Sequence, residues 1–291
     1  MSAPRVTVIG GANMDVGGHP AAPLRLWDSN PGSVVLRPGG VGRNIAHDLR
    51  LLGLEVSLVT ALGDDLFGAG LRQSCEALGM DLSMTLTVPG ARSSTYLYVT
   101  DETGEMHVGL ADMDVTGKLT PAVLTPLLPR INASDAVVLD ANLSAGTLDF
   151  LAAACTAPLY ADPVSTAKAP RLQKALPKLA AIKPNVLEAA ALTGESDPER
   201  AARALLRAGV KRVFVSLGAQ GMLAAEGERL LHLPCLPCRV VNTTGAGDAA
   251  MAAVVWAGIR ELGLEAAARA ALAAGAQTAA CAETNPPELK L

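Results

Sequence analysis

Short, almost wholly apolar runs recur along this 291-residue chain, and a stretch of helical spacing lies between or after them. That alternation leaves few folds open. Residues 6–9, 56–61, 136–139, 159–161, 180–182 and 213–217 have strand length and are rich in Val, Ile, Leu and Ala. A strand apolar on both sides must be covered on both faces. Residues 40–52 carry apolar side chains at 41, 45, 49 and 52, the spacing of one helix face, and stop at Gly53. Further helices are predicted over 67–78, 147–155, 186–192, 198–208 and 247–262, with strong helix formers again near 266–282. The pattern predicts an α/β fold with a mostly parallel central sheet between helical layers. Aromatic residues make up only 3% of the chain, so its core must be aliphatic.

Segments 20–38 and 92–112 depart from this pattern, being more polar and β-prone. Residues 92–100 and 104–110 read as a hairpin with Asp101, Glu102 and Thr103 in the turn. Both segments are too short to fold alone. They are expected to project as a small β lid from a single domain spanning 1–291.

Composition narrows the function. Charged residues are 18%, below the typical ~25%, and half the chain is apolar, which argues against disorder. A net charge of −4 speaks against a nucleic-acid partner. The longest apolar run, 249–259, is 11 residues, short of the roughly 20 that span a membrane. The N-terminal apolar run is too short for a signal-peptide core, so a cytoplasmic location is expected. The five cysteines are odd in number and mostly scattered, which suits a reducing compartment. The pair Cys235-x-x-Cys238 lacks a second Cys/His pair, and LPCLPCRVV reads as a proline-bearing strand with a structural pair, not a zinc site.

The most informative residues lie late. Asn242-Thr243-Thr244-Gly245-Ala246-Gly247-Asp248 follows strand-like 239–241 and opens a helix. A glycine turn at a helix start points N–H groups outward into the positive end of the helix dipole, which makes an anion cradle. A carboxylate there repels a merely bound anion. Asp248 makes sense as a base that takes a proton from an attacking hydroxyl while the amides hold a transferring phosphoryl group. The plainer reading is an Asp that satisfies a helix start. Earlier, Pro38-Gly39-Gly40-Val41-Gly42-Arg43-Asn44 sets three glycines at another helix start, open to close approach by a ligand. Neither segment is a Walker loop, and no G-x-G-x-x-G follows a strand, which disfavours a dinucleotide-binding dehydrogenase.

GGVGRN early and NTTGAGD late resemble the two signatures of the ribokinase-like (PfkB-type) carbohydrate kinase family. The supporting pieces fall in family order. Gly11-Ala12-Asn13-Met14-Asp15 is similar to the sugar-hydroxyl turn, and Gly63-Asp64-Asp65-Leu66-Phe67-Gly68 to GxDxxG. Lys183-Pro184-Asn185-Val186-Leu187-Glu188 is similar to the NxxE element, and Ser216-Leu217-Gly218-Ala219-Gln220-Gly221 to the nucleotide-side glycine turn. Segments 28–32, 38–46, 103–106, 111–113 and 162–165 resemble the branch that acts on pseudouridine, as does Asn242 where most members carry Asp.

The resemblance implies a three-layer ribokinase-like sandwich with a β lid, and transfer of the ATP γ-phosphoryl group to the 5′-hydroxyl of that nucleoside. It implies Asp248 as base and the amides of Gly245, Ala246 and Gly247 around the transferring group. Asn185, Ser216, Gly218, Gly221, Thr244, Gly245 and Gly247 are then expected on the nucleotide side. Asn185 and Glu188 would hold Mg²⁺ through water, the alternative being a helix-cap Asn with a solvated Glu. Asn13, Asp15, Gly39, Gly40, Gly42 and Asn44 are expected around the ribose, unless Asp15 is an ordinary turn residue. Asn142 and Lys168 are candidates on the same side, Lys168 for phosphate or as a surface lysine. Ser29, Asn30, Thr95, Tyr96 and His107 are lid candidates for the base, His107 more often structural at a strand rim. A K⁺ ion is a secondary expectation, weakened by Asn242. A homodimer through the lid is expected. The rival readings are a same-fold kinase for uridine, adenosine or ribose, and a non-catalytic binding module.

Overall fold

The computed structural model describes residues 3–291. Strands and helices alternate along the chain as follows: β1 (Arg5–Ile9), β2 (Asn13–Pro20), β3 (Gly32–Gly39), α1 (Val41–Leu51), β4 (Glu55–Val59), β5 (Ala61–Gly63), α2 (Leu66–Ala77), β6 (Leu86–Val88), β7 (Thr95–Thr100), β8 (Met106–Asp112), α3 (Pro121–Leu124), α4 (Leu128–Ile131), β9 (Ala136–Asp140), α5 (Ala145–Ala154), β10 (Leu159–Asp162), β11 (Leu179–Ile182), α6 (Val186–Thr193), α7 (Pro198–Arg207), β12 (Arg212–Ser216), β13 (Met222–Glu226), β14 (Arg229–Leu233), α8 (Ala246–Ile259) and α9 (Leu264–Ala279).

Eight strands form the main sheet in the order β14-β13-β12-β11-β10-β9-β1-β4. It is parallel from β4 to β12, and β13 and β14 add an antiparallel edge. Alternate side chains of each strand enter two aliphatic cores. Val6, Val8, Val138 and Phe214 pack with α1, α8 and α9 on one face. Ile9, Val137, Leu139 and Val215 pack with α5, α6 and α7 on the other. This is the three-layer sandwich.

A second sheet, β3-β2-β7-β8, forms the lid. Its β7–β8 hairpin turns at Asp101, whose carboxylate takes the N–H of Thr103 and of Glu105. The strand β2 was not anticipated: residues 11–15 read as a turn, and Gly17 and Gly18 are poor strand formers. Gly17 is required because the Tyr98 hydroxyl lies where its Cβ would stand. Two other expectations fail. The run 56–61 is not one strand, since β4 ends at Val59 and β5 pairs with β6 in a separate sheet. The segment 234–241 is not a strand. It carries Pro234 and Pro237, which cannot donate to a ladder, and Cys235 and Cys238 are exposed there. Among the described residues, no helix is long and apolar enough to cross a membrane.

Candidate active site

Parallel order brings the carboxyl ends of β1, β9, β10 and β11 side by side, the edge where open α/β sheets hold ligands. Each end delivers a polar group. Asp140 closes β9; its Oδ2 accepts from the Gly11 N–H at 2.8 Å and from Asn142 Nδ2 at 3.1 Å. Burial pushes the Asp140 carboxyl up against the pull of those bonds. Asn142 in turn accepts from Lys168 Nζ at 2.6 Å. Burial draws the Lys168 ammonium down, with Asp140 opposing. Asp162 closes β10 and faces Lys183, just beyond β11, at 3.3 Å. Both are almost wholly buried. Burial pulls the Lys183 ammonium down, but Asp162, Glu188 and Asp248 around it prevail and hold it above its usual range.

The glycine turn before α8 stands over this floor. Asn242 Oδ1 accepts from the Thr244 N–H at 3.0 Å, and Gly245 caps the helix at φ 84°. A side chain at Gly245 would collide with the Thr284 carbonyl. The Ala246 N–H is drawn to the Thr243 carbonyl at 3.3 Å. Among the described residues no carbonyl takes the N–H of Gly245, Gly247 or Asp248, which leaves these as open donors of the turn. Asp248, one turn in, accepts from Asn44 Nδ2 at 2.9 Å through Oδ2. Burial and then the charge of Asp162 push its carboxyl up to about 7, with Asn44 and Lys183 pulling back.

Facing this lies the lid strand β2. Asn13 donates to Asp15 Oδ1 at 2.6 Å. Burial raises the Asp15 carboxyl to about 6 against Asn13, Arg43 and Arg37. The glycines at 39, 40 and 42 are tight against the protein, which corrects their reading as openings for a ligand. A Cβ would strike Asp15 from Gly39, Ala12 from Gly40, and Gly10 with Asp140 from Gly42. Register separates two lid candidates. Tyr96 pairs with Asp15 and shares its face; Thr95 pairs with Met14 and points to the opposite face, beside Phe67. Thr95 therefore cannot reach a base held over Asp15. Ser29 and Asn30 lie in the turn before β3, and Asn30 spends its amide there on Arg25 and Asp28. His107 is exposed on β8.

On the far side, Asn185 and Glu188 form a reciprocal capping box at α6: Asn185 Oδ1 accepts from the Glu188 N–H and Glu188 Oε2 from the Asn185 N–H, both at 2.9 Å. Glu188 is buried, not solvated. Ser216 bridges to Asn185 from the end of β12. Gly218 and Gly221 follow at positive φ, and Gly221 lies against the Leu233 carbonyl, so its lack of a side chain serves packing.

Residues 3–290 match the family described as pfkB family carbohydrate kinase. The chain belongs to the pfkB family. It is 35% identical to a pseudouridine kinase of Escherichia coli over 98% of this chain and 94% of that protein. A carbohydrate kinase from Agrobacterium tumefaciens superposes with TM-score 0.87 at 32% identity, covering 97% and 92% of the two chains. A ribokinase of Arabidopsis thaliana, solved with ribose and ATP, shares the fold at TM-score 0.84 and 22% identity, over 98% and 96% of the chains. As a pfkB protein, the chain is a phosphotransferase for a sugar or nucleoside, and the binding-module reading falls. Sequence reading missed Asp140, Asp162 and Lys183 as site residues. The one signal available was a charged residue directly after an apolar strand.

Proposed function

We propose that this pfkB protein transfers the γ-phosphoryl group of ATP to the 5′-hydroxyl of pseudouridine. The observation that carries the reading is Asp248, raised to about 7 beside the open amides of Gly245 and Gly247 and bonded to Asn44 of α1. Asp248 accepts the proton of the 5′-hydroxyl on Oδ1, Oδ2 being held by Asn44. The freed oxygen forms a bond to the γ-phosphorus while the bond to the bridging oxygen breaks, and ADP leaves. The N–H groups of Gly245 and Gly247 stabilise charge on the transferring group. Asp15, Asn13 and Asn44 hold the ribose hydroxyls, with Asn142 and Lys168 at the rim. Asn185, Ser216, Gly218, Gly221 and Thr244 border the nucleotide.

Magnesium would neutralise charge on the phosphates. The donor set fits an ion held mainly by those phosphates and water, since Asp162 is engaged by Lys183 and one oxygen of Glu188 is spent on the cap. A K⁺ ion fits poorly: Asn242 Nδ2 donates to the Ala282 carbonyl at 3.2 Å, so an N–H already bridges the two loops.

Pseudouridine carries a ring N–H where uridine has C–H. A site that offers that N–H an acceptor leaves it unpaired with uridine, a loss of roughly 1–3 kcal/mol. Tyr96 is the best-placed side chain, its hydroxyl meeting only the Met106 sulfur at 3.0 Å; Ser29 is the second. The other lid face presents Val34 and Leu36 of β3, Leu97 of β7, and Val108 and Leu110 of β8 to solvent, in register across the sheet. That face pairs with its copy in a homodimer. The test is ADP release with pseudouridine, uridine, adenosine and ribose. A preference for pseudouridine of about tenfold or more is expected. A higher kcat/KM for another acceptor overturns the substrate.

A further inference from the structure

The segment that follows α9 is a strap across the site. Its far end is pinned: Leu289 is buried, and Gln277 both donates to the Lys290 carbonyl at 2.9 Å and accepts from its N–H at 3.1 Å. Between the anchors it meets each part of the catalytic edge. The Ala282 carbonyl takes Asn242, and the Thr284 carbonyl occupies the space beside Gly245, so the strap underlies the glycine turn. Glu283 lies 3.5 Å from Arg37 of the lid strand β3. Asn285 Nδ2 donates to the Asn44 carbonyl at 3.2 Å and to Asp48 Oδ1 at 2.9 Å.

The α1 side of that contact is unusual. Asp48 sits one turn beyond Asn44 with no exposed surface, and its Oδ2 has no partner. Burial, with Asp248 adding to it, pushes the carboxyl well above its usual range against the pull of Asn285 and Arg43. Asn44 Oδ1 and His47 Nδ1 also lack partners. The Asn285 amide is thus the side-chain donor from the strap that fastens this stretch of α1.

We propose that Asn285 is a positioning residue for phosphoryl transfer: it ties α1 to the strap beneath the glycine turn and so fixes Asn44 against Asp248. This rests on reading Asp248 as the base. Asn44 is held at its carbonyl by Asn285 and at its amide by Asp248. Cutting the first tie lets the Asn44–Asp248 pair shift relative to the turn, and a displacement of about 1 Å costs on the order of 10²-fold in rate.

The full-length chain tests this by steady-state ADP release with ATP and pseudouridine, or with whichever acceptor the panel selects. Asn285→Ala should lower kcat roughly 10- to 100-fold with the KM for ATP within about threefold. Asp48→Asn keeps a side-chain oxygen that can accept from Asn285 and should hold kcat within about threefold of wild type. A wild-type kcat in Asn285→Ala, or a loss confined to KM, overturns the proposal. If Asn285→Ala does not fold, Asn285→Leu fills the volume without the donors and must show the same kcat loss. Asp248→Asn is assayed alongside. If it keeps turnover, the base assignment fails whatever Asn285 does; if it is dead while the Asn285 variant is normal, only the strap fails.

Discussion

The floor of the site and the lid above it are built on opposite terms. On the floor, Asp140, Asp162 and Lys183 leave adjacent parallel strands and are buried with partners in place. Their positions are set by the main sheet, the most over-determined part of the molecule. The lid is a four-stranded sheet with polar and aromatic groups on one face (Asp15, Arg37, Tyr96, Tyr98) and exposed aliphatic ones on the other. Leu110 is 67% exposed and Val34 73%. An apolar face of that kind is a surface waiting for a partner. The difference teaches that the floor's polar groups are fixed by partners within the main sheet, while the lid leaves an aliphatic face exposed.

Four substitutions set these regions against each other. The largest effect is expected at the glycine turn over the floor. Asp248→Asn should lower kcat by about 10²–10⁴-fold, with ATP affinity by calorimetry changed by less than about threefold. Retention of more than about a third of kcat, far above the loss that removal of a general base causes, would end its assignment as base. Next, Lys183→Met leaves Asp162 buried without its cation and should cost about 3–5 kcal/mol in urea unfolding. A loss near zero would mean that the ion pair is not part of what fixes the floor.

At the lid the effects should be smaller and should fall on binding. Asp15→Ala removes an acceptor whose hydrogen bonds are worth roughly 1.5–3 kcal/mol each, so KM for the nucleoside should rise about 10- to 100-fold. With the wild type, 2′-deoxypseudouridine should be correspondingly poor. If both behave normally, the ribose lies elsewhere. Leu110→Lys should convert the dimer to a monomer in sedimentation while kcat stays close to wild type. An unchanged mass would remove the dimer, and a collapsed kcat would show that the floor depends on the lid's outer face.

Much of the floor's framework could be read from the chain. The apolar runs at 136–139 and 213–217 became β9 and β12 within a residue, because a doubly buried strand has no other way to satisfy its side chains. The helix start at Asp248 was equally plain, since a glycine turn announces it. What sequence spacing cannot carry is which strand ends become neighbours. Asp162 and Lys183 lie 21 residues apart in the chain, and only the parallel order sets them against each other. Asn285 lies 241 residues from Asn44, and nothing local marks it. In the lid, β2 was hidden by Gly17 and Gly18, of which Gly17 leaves room for the Tyr98 side chain across the sheet. Register, too, is a property of pairing: the pleat sends Thr95 and Tyr96 to opposite faces, and register decides that Tyr96 is the one beside Asp15.

The most direct test of the account is the pH dependence of kcat/KM for the nucleoside in the wild-type protein. Asp248 must be ionised to accept the hydroxyl proton, and burial with Asp162 raises it to about 7. A raised carboxyl is protonated below that value, so activity must be lost as pH falls. The predicted profile has an acid limb with its midpoint at about 7 or above, falling about tenfold per pH unit below it. A profile that stays flat from about pH 8 down to about pH 5, near the range of an ordinary carboxylate, would contradict it.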